Sequence, residues 1–248
     1  MVSVEVPFRN TRLVSAHHRW FAEVPNPSDR LKFVYYYQCR STLEHAGFQR
    51  ELKFTKLLDI SRDEDAIMAA FSKTSRYEVR RAGKEGLQFS TVDDMSVFQN
   101  FYNEFADAKD LGHINPVVLD RYWPVMRVTQ IARDDEVFVM HGYILDRENS
   151  RTNLNWSASQ FRGMDDKDRR RLYGRANRRL YFEDMRWFKG EGFTCYDFGG
   201  YAKDTTDKSL AAVNEFKDSF GGDLVEESNY ISQALRTLRG LKKLVGRG

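Results

Sequence analysis

The segment TCYDFGGYAKD, residues 194–204, places an acidic residue between two aromatic residues at the end of a predicted strand. Asp197 has two interpretations: it can cap the turn that the following glycines permit, or it can orient and deprotonate an acceptor amine. Tyr196 and Tyr201 lie close to it in the sequence. A phenol, whose ordinary pKa is about 10, can return a proton to a leaving thiolate. The segment is therefore the first candidate for a catalytic centre.

A second candidate is a site for an anion in the opening part of a long helix, whose pattern covers residues 169–190. The run GRANRRLYFED, residues 174–184, opens with Gly174, which lets a ligand approach the backbone closely. The first N–H groups of a helix lack partners within the helix and carry the positive end of its dipole. Arg175 and Arg178 add positive charge, which suits a phosphorylated ligand. The alternative is a solvated basic face that nearby carboxylates balance.

A predicted strand, TNLNWSAS at residues 152–159, alternates apolar and hydrogen-bonding side chains. Asn155 and Ser157 belong to the polar face, and Trp156 lies between them on the apolar face. The polar face is either an ordinary solvent face or the wall of a cleft that binds an acceptor. In the second case, Asn155, Ser157 and the strand backbone would orient the acceptor and the reacting carbonyl group.

Two further groups of residues also have a structural and a functional interpretation. His141 shares a strand face with Val137, Val139 and Tyr143, so it is either a hydrogen-bonded core residue or a base. Arg76 and Arg80 are four residues apart and share one helix face. That face is either solvated or binds a phosphate or an anionic acceptor.

The sequence predicts no metal site. Asp166-Lys167-Asp168 resembles the DxD motif of nucleotide-sugar glycosyltransferases, but no apolar strand precedes it. His17 and His18 lack a third ligand at a suitable spacing. The motifs GxGxxG, GxxxxGK[ST], HExxH and GxSxG do not occur in the sequence. Dinucleotide enzymes, P-loop ATPases, zinc proteases and serine hydrolases are therefore disfavoured.

The elements that must position these residues indicate a mixed α/β sheet. After residue 87 the predicted order is β-α-α-β-β-α-β-α-β. The crossover from residues 151–160 to residues 193–198 contains a long helix, and it is long enough for parallel pairing. Ligands of such sheets bind outside the carboxyl ends of the parallel strands. Asp197 is predicted at such an end.

The chain length of 248 residues suffices for one large domain or two small ones, and we predict one GNAT-sized domain over residues 31–231. Residues 31–60 are predicted to be an additional N-terminal hairpin of this domain. Residues 1–30 are predicted to be an irregular arm. Residues 232–248 read as a basic amphipathic helix that either packs on the domain or lies on an anionic membrane.

The composition points to a cytoplasmic protein. The formal net charge of +3 is too small to indicate nucleic-acid binding by itself. Cys39 and Cys195 are isolated thiols, which suggests a reducing compartment. No stretch approaches the run of about 18 apolar residues that a membrane span needs.

Four segments together resemble the FemAB-like branch of the GNAT acyltransferase superfamily. They are FSKTSRYEVRRAGKEGL, NWSAS, GRANRRLYFEDMRWFKGEGFTCYDFGG and VNEFKDSFGGDLVE. The usual form in that family is a basic helix ending in RRA-K-G, then a YDFGG strand, and finally FK--FGG. In this chain Arg80 begins the first motif and Lys217 belongs to the last. The match covers roughly residues 55–230, and the order and spacing of the motifs give it its specificity.

The resemblance implies a GNAT-like acyl-CoA N-acyltransferase fold, with helices on both faces of a mixed central sheet. The sheet would splay between two parallel strands, here residues 151–160 and 193–198. Acyl-CoA would bind in the splay as co-substrate, with its pyrophosphate at the start of the intervening helix. The residues implied for this binding are Ser157, Gly174, Arg175, Ala176, Asn177 and Arg178. The residues implied for the acceptor are Asn155, Trp156, Arg76, Arg80 and Lys217, and those for catalysis are Asp197, Tyr196, Tyr201 and His141.

The activity that the resemblance implies is transfer of an acetyl or other acyl group from CoA to an amine or a hydroxyl. The acceptor would be a small molecule or a glycan precursor of bacterial polysaccharide assembly, in the cytoplasm or at the inner membrane. No covalent intermediate is needed, because a thioester is activated enough for direct attack, and positioning supplies much of the rate.

The chain departs from the family pattern at two points. Fem-type peptidyltransferases carry two GNAT-like domains and take an amino acid from a charged tRNA, whereas this chain has room for one full domain. The glycine-rich pyrophosphate loop is missing, since QFRGM contributes only Gly163. Two alternatives therefore stay open. One is an aminoacyl-tRNA-dependent transferase whose basic residues at 76–84 and 167–179 bind RNA phosphates, and the other is a non-catalytic binding module on the same fold.

Overall fold

The computed structural model describes residues 1–8, 14–160 and 166–245, with side chains up to residue 240. Gly163 lies outside the described residues. The described helices are α1 (Glu64–Ala70), α2 (Lys73–Ala82), α3 (Met95–Asp107), α4 (Pro116–Tyr122), α5 (Lys167–Gly190), α6 (Lys208–Asp218) and α7 (Gln233–Val245). The described strands are β1 (Val2–Pro7), β2 (Ser15–Trp20), β3 (Val34–Cys39), β4 (Phe48–Asp59), β5 (Gln88–Val92), β6 (Met126–Arg133), β7 (Glu136–Asp146), β8 (Arg151–Ser159), β9 (Cys195–Gly200) and β10 (Asp223–Ser232).

The chain forms two compact units, which differ from the predicted domain boundaries. The first unit comprises Met1–Thr55 and Leu224–Gly248, and the second comprises Lys56–Asp223. Strand β4 crosses the boundary in sequence, because its last residues belong to the second unit.

Strands of the first unit lie in the order β1-β2-β3-β10-β4. Strands β1 and β2 are antiparallel, β2 and β3 are parallel, and β3 and β10 are antiparallel. The prediction of an irregular arm over residues 1–30 is therefore wrong. Val2, Val4 and Val6 alternate with exposed residues along β1, a two-residue period that the prolines of this region obscured. The predicted hairpin over residues 31–60 is also wrong, because β10 lies between β3 and β4.

Helix α7 packs on the first unit. Leu235 is fully buried, and the guanidinium group of Arg239 lies 5.2 Å from the centre of the Tyr35 ring. Of the two interpretations of residues 232–248, these contacts favour packing on the protein. Residues 246–248 of that range lie outside the described residues.

The second unit contains the mixed α/β sheet that the sequence predicts. Strands β5, β6, β7 and β8 pair antiparallel in sequence order. Strand β8 then pairs with β9 in parallel, and the end of β4 follows β9. The crossover between β8 and β9 contains α5, as predicted.

Helix α5 covers this sheet with an apolar face. Tyr181, Phe182, Met185 and Phe188 are buried in one cluster with residues of β7, β8 and β9. Burial of each such side chain stabilises the fold by about 1.5–3 kcal/mol. The helix is thereby fixed on the two parallel strands, and its inward-facing polar residues are fixed with it.

The FGG motif serves the backbone of the second unit. Gly221 and Gly222 have φ of +81° and +85°, a region that other residues rarely adopt. A Cβ atom at Gly221 would lie 2.8 Å from the carbonyl oxygen of Ala70, and one at Gly222 would lie 2.5 Å from that of Leu57. The motif thus permits the chain after α6 to approach the backbone of Ala70 and Leu57 closely.

Among the described residues, no helix combines the length and the apolar character needed to cross a membrane.

Candidate functional site

The parallel pair β8–β9 opens after three residue pairs. Arg151, Thr152 and Asn153 pair with residues 195–197, and the pairing of the two strands ends there. Strand β8 continues to Ser159 and β9 to Gly200. A cavity of about 520 Å³ lies where they diverge, and we call it the β8–β9 cavity. Its lining comprises Phe105, Lys109, Leu154, Asn155, Ser157, Ser159, Asn177, Tyr181, Phe198, Gly200, Ser209, Ala212, Val213, Phe216 and Lys217.

A β-bulge aims one residue of β8 into this cavity. Gly142 pairs with Trp156 and Tyr143 pairs with Leu154, so Asn155 is the extra residue of the bulge. Bulges re-aim side chains and are over-represented beside active sites. Asn155 is exposed and lines the cavity, whereas Trp156 packs edge-on against Phe98 and does not line it.

At the end of the pairing, a glycine lets β9 pass close to Leu154 of β8. Gly199 has φ of +73°, and a Cβ atom there would overlap the carbonyl oxygen of Leu154. The N–H group of Gly199 donates to Asp197 Oδ1 over 2.8 Å. The conformation at this point therefore requires glycine, and it sets where β9 leaves β8.

Asp197 is buried in this turn. Its Oδ2 accepts from Arg151 Nη2 at 2.5 Å and from Asn153 Nδ2 at 2.8 Å, and its side chain is fully buried. It is absent from the residues that line the β8–β9 cavity. The geometry favours the turn interpretation of Asp197 over direct contact with a substrate.

Lys217 brings a cation to the cavity. Its Nζ donates to the carbonyl oxygens of Gly200 at 2.5 Å and Gly199 at 3.3 Å, and the side chain is 8% exposed. Burial lowers the pKa of Lys217 to about 8, and the charge of Asp197 opposes that shift. The side chain is therefore still charged at neutral pH and borders the cavity that Asn155 also lines.

A buried hydrogen-bond network lies behind the cavity. His141 Nδ1 lies 2.8 Å from Asp184 Oδ2, and the Tyr143 hydroxyl donates to the same oxygen at 2.5 Å. The hydroxyls of Tyr143 and Tyr196 are 2.7 Å apart. All four side chains are fully buried. Burial first, and the charge of Asp184 second, raise the pKa of both tyrosines well above the ordinary value, so both phenols stay protonated.

The network reaches the cavity through Asn177 and Tyr181. Asn177 Oδ1 lies 3.1 Å from His141 Nε2, and both Asn177 and Tyr181 line the cavity. Burial also raises the pKa of Tyr181, while a hydrogen bond with Ser157 opposes the shift. His141 and Tyr196, which the resemblance implies as catalytic, thus lie one residue away from any ligand in the cavity.

The predicted anion site at Gly174 rests on a wrong helix start. Helix α5 begins at Lys167, and the Asp166 carboxylate accepts from the N–H groups of Asp168 and Arg169. Gly174 is therefore inside the helix, where its N–H group is not at the positive end.

The arginines of this helix have protein partners. Arg175 is buried and pairs with Glu85 over 2.7 Å. Arg178 pairs with Glu78 over 3.2 Å, and Ala176 is fully buried in the core. Of the residues implied for CoA binding, the structure brings only Asn177 and Ser157 to the β8–β9 cavity.

The remaining implied residues lie away from the cavity lining. Arg76 donates to the carbonyl oxygens of Ala69 and Phe71 at the end of α1, and Arg80 is exposed on α2. The Tyr201 hydroxyl donates to Asp218 Oδ2 over 3.0 Å.

Sequence reasoning missed Tyr143, Tyr181 and Asp184. A usable signal existed, because Asn177, Tyr181 and Asp184 follow the spacing i, i+4, i+7. Polar groups on the apolar stripe of a buried helix must find hydrogen-bond partners, and such groups are candidates for a site.

A second, shallower cavity of about 1010 Å³ borders the start of α5. Its charged lining consists of Glu104, Arg133, Asp134, Asp135, Glu136 and Arg169, which gives four carboxylates against two guanidinium groups. A pyrophosphate in this cavity would meet a predominantly acidic lining.

No protein-family model and no curated protein matches the sequence. Several solved structures are similar in fold. FemX is 12% identical with a TM-score of 0.65, over 96% of this chain and 85% of FemX. The C-terminal domain of a putative lysylphosphatidylglycerol synthetase from Agrobacterium fabrum is 14% identical with a TM-score of 0.59, over 92% of this chain and 82% of that one. L-PGS from Bacillus licheniformis is 15% identical with a TM-score of 0.52, over 89% and 76%.

These likenesses show the fold. The chain has a fold similar to those of FemX and of the lysylphosphatidylglycerol synthetase domain, which confirms the resemblance at the level of the fold.

Proposed function

We propose that the chain is a transferase that moves an acyl or aminoacyl group to an acceptor inside the β8–β9 cavity. The observation that carries this proposal is the opening of the parallel pair after Asn153 and Asp197. There, a bulged asparagine and a buried lysine face one cavity of about 520 Å³. A protein that only needed a stable sheet would gain nothing from ending these hydrogen bonds early.

Lys217 is the group that stabilises the transition state in this proposal. Two of its three N–H groups are directed to the carbonyl oxygens of Gly199 and Gly200. The third is available to the carbonyl oxygen of the donor, which becomes negatively charged as the acceptor attacks. A preorganised hydrogen-bond donor of this kind supplies typically about 10²–10³-fold in rate.

The cavity lining has an apolar side and a polar side. Leu154, Phe198 and Phe216 form an apolar side that suits the acyl chain. Asn155, Ser157, Ser159 and Ser209 supply hydrogen-bonding groups that suit a hydroxyl-rich or amine-bearing acceptor, such as a glycan precursor.

For the donor, an aminoacyl-tRNA is the first candidate. The start of α5 is capped by Asp166 and borders an acidic cavity, which disfavours the pyrophosphate of CoA there. One structurally similar protein is named for making an aminoacylated lipid, lysylphosphatidylglycerol. Exposed basic residues, among them Arg80 and Arg171, would bind RNA phosphates.

Acyl-CoA, with acetyl-CoA as its simplest form, is the second candidate. The opening between two parallel strands is a slot that an extended pantetheine arm can enter, and its lining is partly apolar. In this case the nucleotide end of CoA would have to bind away from the acidic cavity beside the start of α5.

Direct binding separates the two donors. Purified protein is titrated calorimetrically with acetyl-CoA, and in parallel with bulk aminoacylated tRNA in a filter-binding assay. Saturable binding of aminoacylated tRNA and none of acetyl-CoA supports the first candidate, and the reverse supports the second. If the folded protein binds neither donor, the transferase proposal fails and a non-catalytic binding module is left.

A further inference from the structure

Lys217 presents its side-chain nitrogen at the wall of the β8–β9 cavity. Its Nζ donates to the carbonyl oxygen of Gly200 over 2.5 Å, and both residues line the cavity. A second, longer bond of 3.3 Å goes to the carbonyl oxygen of Gly199. Because only 8% of the residue is exposed, a reagent reaches this nitrogen through the cavity rather than from open solvent.

The two carbonyl oxygens occupy two of the three positions around Nζ in either charge state of Lys217. A carbonyl oxygen only accepts hydrogen bonds, so each of them takes one N–H group. The third position holds another N–H group in the ammonium form, and it holds the lone pair in the neutral amine. The lone pair is a nucleophile, so the same nitrogen can react with a carbonyl carbon that the cavity brings to it.

The surroundings give Lys217 a larger neutral fraction than an exposed lysine has. Burial lowers the pKa of Lys217 to about 8, and the charge of Asp197 opposes the shift. The other titratable side chains of the described lining are Lys109 and Tyr181, and burial raises the pKa of the Tyr181 phenol, which stays neutral. At pH 8 about half of Lys217 is therefore an amine, against less than about 1% at the ordinary pKa of 10.5.

We propose that Lys217 is a site of acylation, at which activated carboxylic esters or thioesters that enter the β8–β9 cavity modify its amine. The amine attacks the carbonyl carbon, a C–N bond forms, and the bond from that carbon to the leaving oxygen or sulfur breaks. The leaving group takes the electron pair of the broken bond and the proton that the nitrogen loses. The products are an amide and an alcohol or a thiol.

Acylation removes the charge of Lys217, because the amide is neutral and keeps only one N–H group. That the protein's own donor is the reagent rests on the transferase function proposed above, whereas the reactivity of Lys217 does not. In the transferase, the acceptor competes with Lys217 for the acyl group, so self-acylation is expected when no acceptor is present. The acyl group then fills part of the cavity, and the modified protein should no longer bind its donor.

The reactivity is tested with the N-hydroxysuccinimide ester of acetic acid at a pH of about 8, where half of Lys217 is neutral. Acetylated positions are read by mass spectrometry of chymotryptic peptides. Lys208, exposed at the start of the same helix, is the internal control for a lysine in open solvent. We expect acetyl groups on both lysines of the wild type.

A matched pair of variants tests whether the reagent arrives through the cavity. Val213→Trp fills the cavity and should prevent acetylation of Lys217 while Lys208 is still modified. Leu210→Trp, whose position does not line the cavity, should leave acetylation of both lysines unchanged. An unmodified Lys217 beside an acetylated Lys208 in the folded wild type would overturn the proposal. Acetylation of Lys217 that persists in a folded Val213→Trp variant would overturn it as well.

Self-acylation is tested by incubating the wild type, without any acceptor, with whichever donor binds in the titrations above. We expect Lys217 to carry the acyl group and the modified protein to lose binding of that donor. Donor binding that leaves Lys217 unmodified would overturn self-acylation. If the wild type binds neither donor, the transferase function fails, while the small ester still decides whether Lys217 is an acylation site.

Discussion

Lys217 shows how one residue joins the fold to the proposed chemistry. Burial lowers the pKa of Lys217 from 10.5 to about 8, because the folded protein stabilises the charged amine less than water does. The unfolded chain binds more protons than the folded chain between these two values. The contribution of Lys217 to the free energy of unfolding is therefore lowest below pH about 8, and it rises as the pH increases toward 10.5.

The measurement is urea unfolding of wild type and Lys217→Met from pH 7.5 to 10.5. The stability of wild type relative to the variant should improve by about 3 kcal/mol across this window, since each unit of pKa shift corresponds to about 1.4 kcal/mol. Leu210→Met, an exposed position on the same helix, removes no amine and serves as the control. A difference between wild type and Lys217→Met that stays constant with pH would contradict the lowered pKa.

Asp197 is the residue for which the sequence left two roles open, and its contacts predict a structural effect. Asp197→Asn leaves the buried guanidinium of Arg151 without its carboxylate, which costs about 3–5 kcal/mol when a buried pair is broken. Chemical denaturation measures the loss. The control is Asp168→Asn, whose pair with Arg171 is exposed, and it should change stability by less than about 0.5 kcal/mol. If Asp197→Asn is as stable as wild type, the turn interpretation is wrong.

At the scale of elements, the β8–α5–β9 crossover was predictable, whereas the anion site at Gly174 was wrong. The length between residues 151–160 and 193–198 allows a parallel pair, and the structure has one. The helical pattern over residues 169–190 also matches α5, which begins two residues earlier, at Lys167. Gly174 lies inside this helix, so its N–H group does not have the role of a helix start.

The same limits apply to the site. The YDFGG and FK--FGG motifs pointed to β9 and to Lys217, which do meet at the cavity. The pairing of His141 with Asp184 joins residues 43 positions apart, and it depends on how α5 lies on β7. The pattern of a single sequence does not show how a helix lies on a strand, so the network behind the cavity could not be predicted.

Two glycine substitutions test the roles given to Gly199 in β9 and to Gly174 in α5. Gly199→Ala should destabilise the protein by more than about 1 kcal/mol, because φ is +73° and the added Cβ would overlap the Leu154 carbonyl oxygen. Gly174→Ala lies inside α5 with open space around it, so it should stabilise by about 0.5–1 kcal/mol and leave donor binding unchanged. Thermal and urea unfolding measure both. Loss of donor binding in Gly174→Ala would restore the predicted anion site.

At the scale of the whole molecule, the net charge of +3 hides a division between basic and acidic surfaces. Arg80 is exposed on α2, whereas the cavity beside the start of α5 carries four carboxylates. RNA phosphates would contact the first kind of surface and avoid the second. Affinity that depends on such contacts falls steeply with salt, because binding releases counterions.

The salt dependence of tRNA binding therefore tests whether the exposed basic residues contact RNA phosphates. Binding of aminoacylated tRNA should weaken at least about tenfold between roughly 50 and 200 mM salt. Arg80→Gln should reduce the slope of log affinity against log salt by about one. Arg236→Gln, an exposed position on α7, is the matched control and should leave the slope unchanged. Tight binding that is insensitive to salt would contradict contact with RNA phosphates.

The central claim is that the donor binds between β8 and β9, and a matched pair of tryptophan substitutions on α6 tests it most directly. Val213 and Leu210 are similarly exposed, at 46% and 47%, but only Val213 lines the cavity. Val213→Trp should fill the opening and abolish binding of whichever donor the wild type binds, while Leu210→Trp should bind it as wild type does. Normal binding by a folded Val213→Trp variant would place the donor elsewhere and contradict the account.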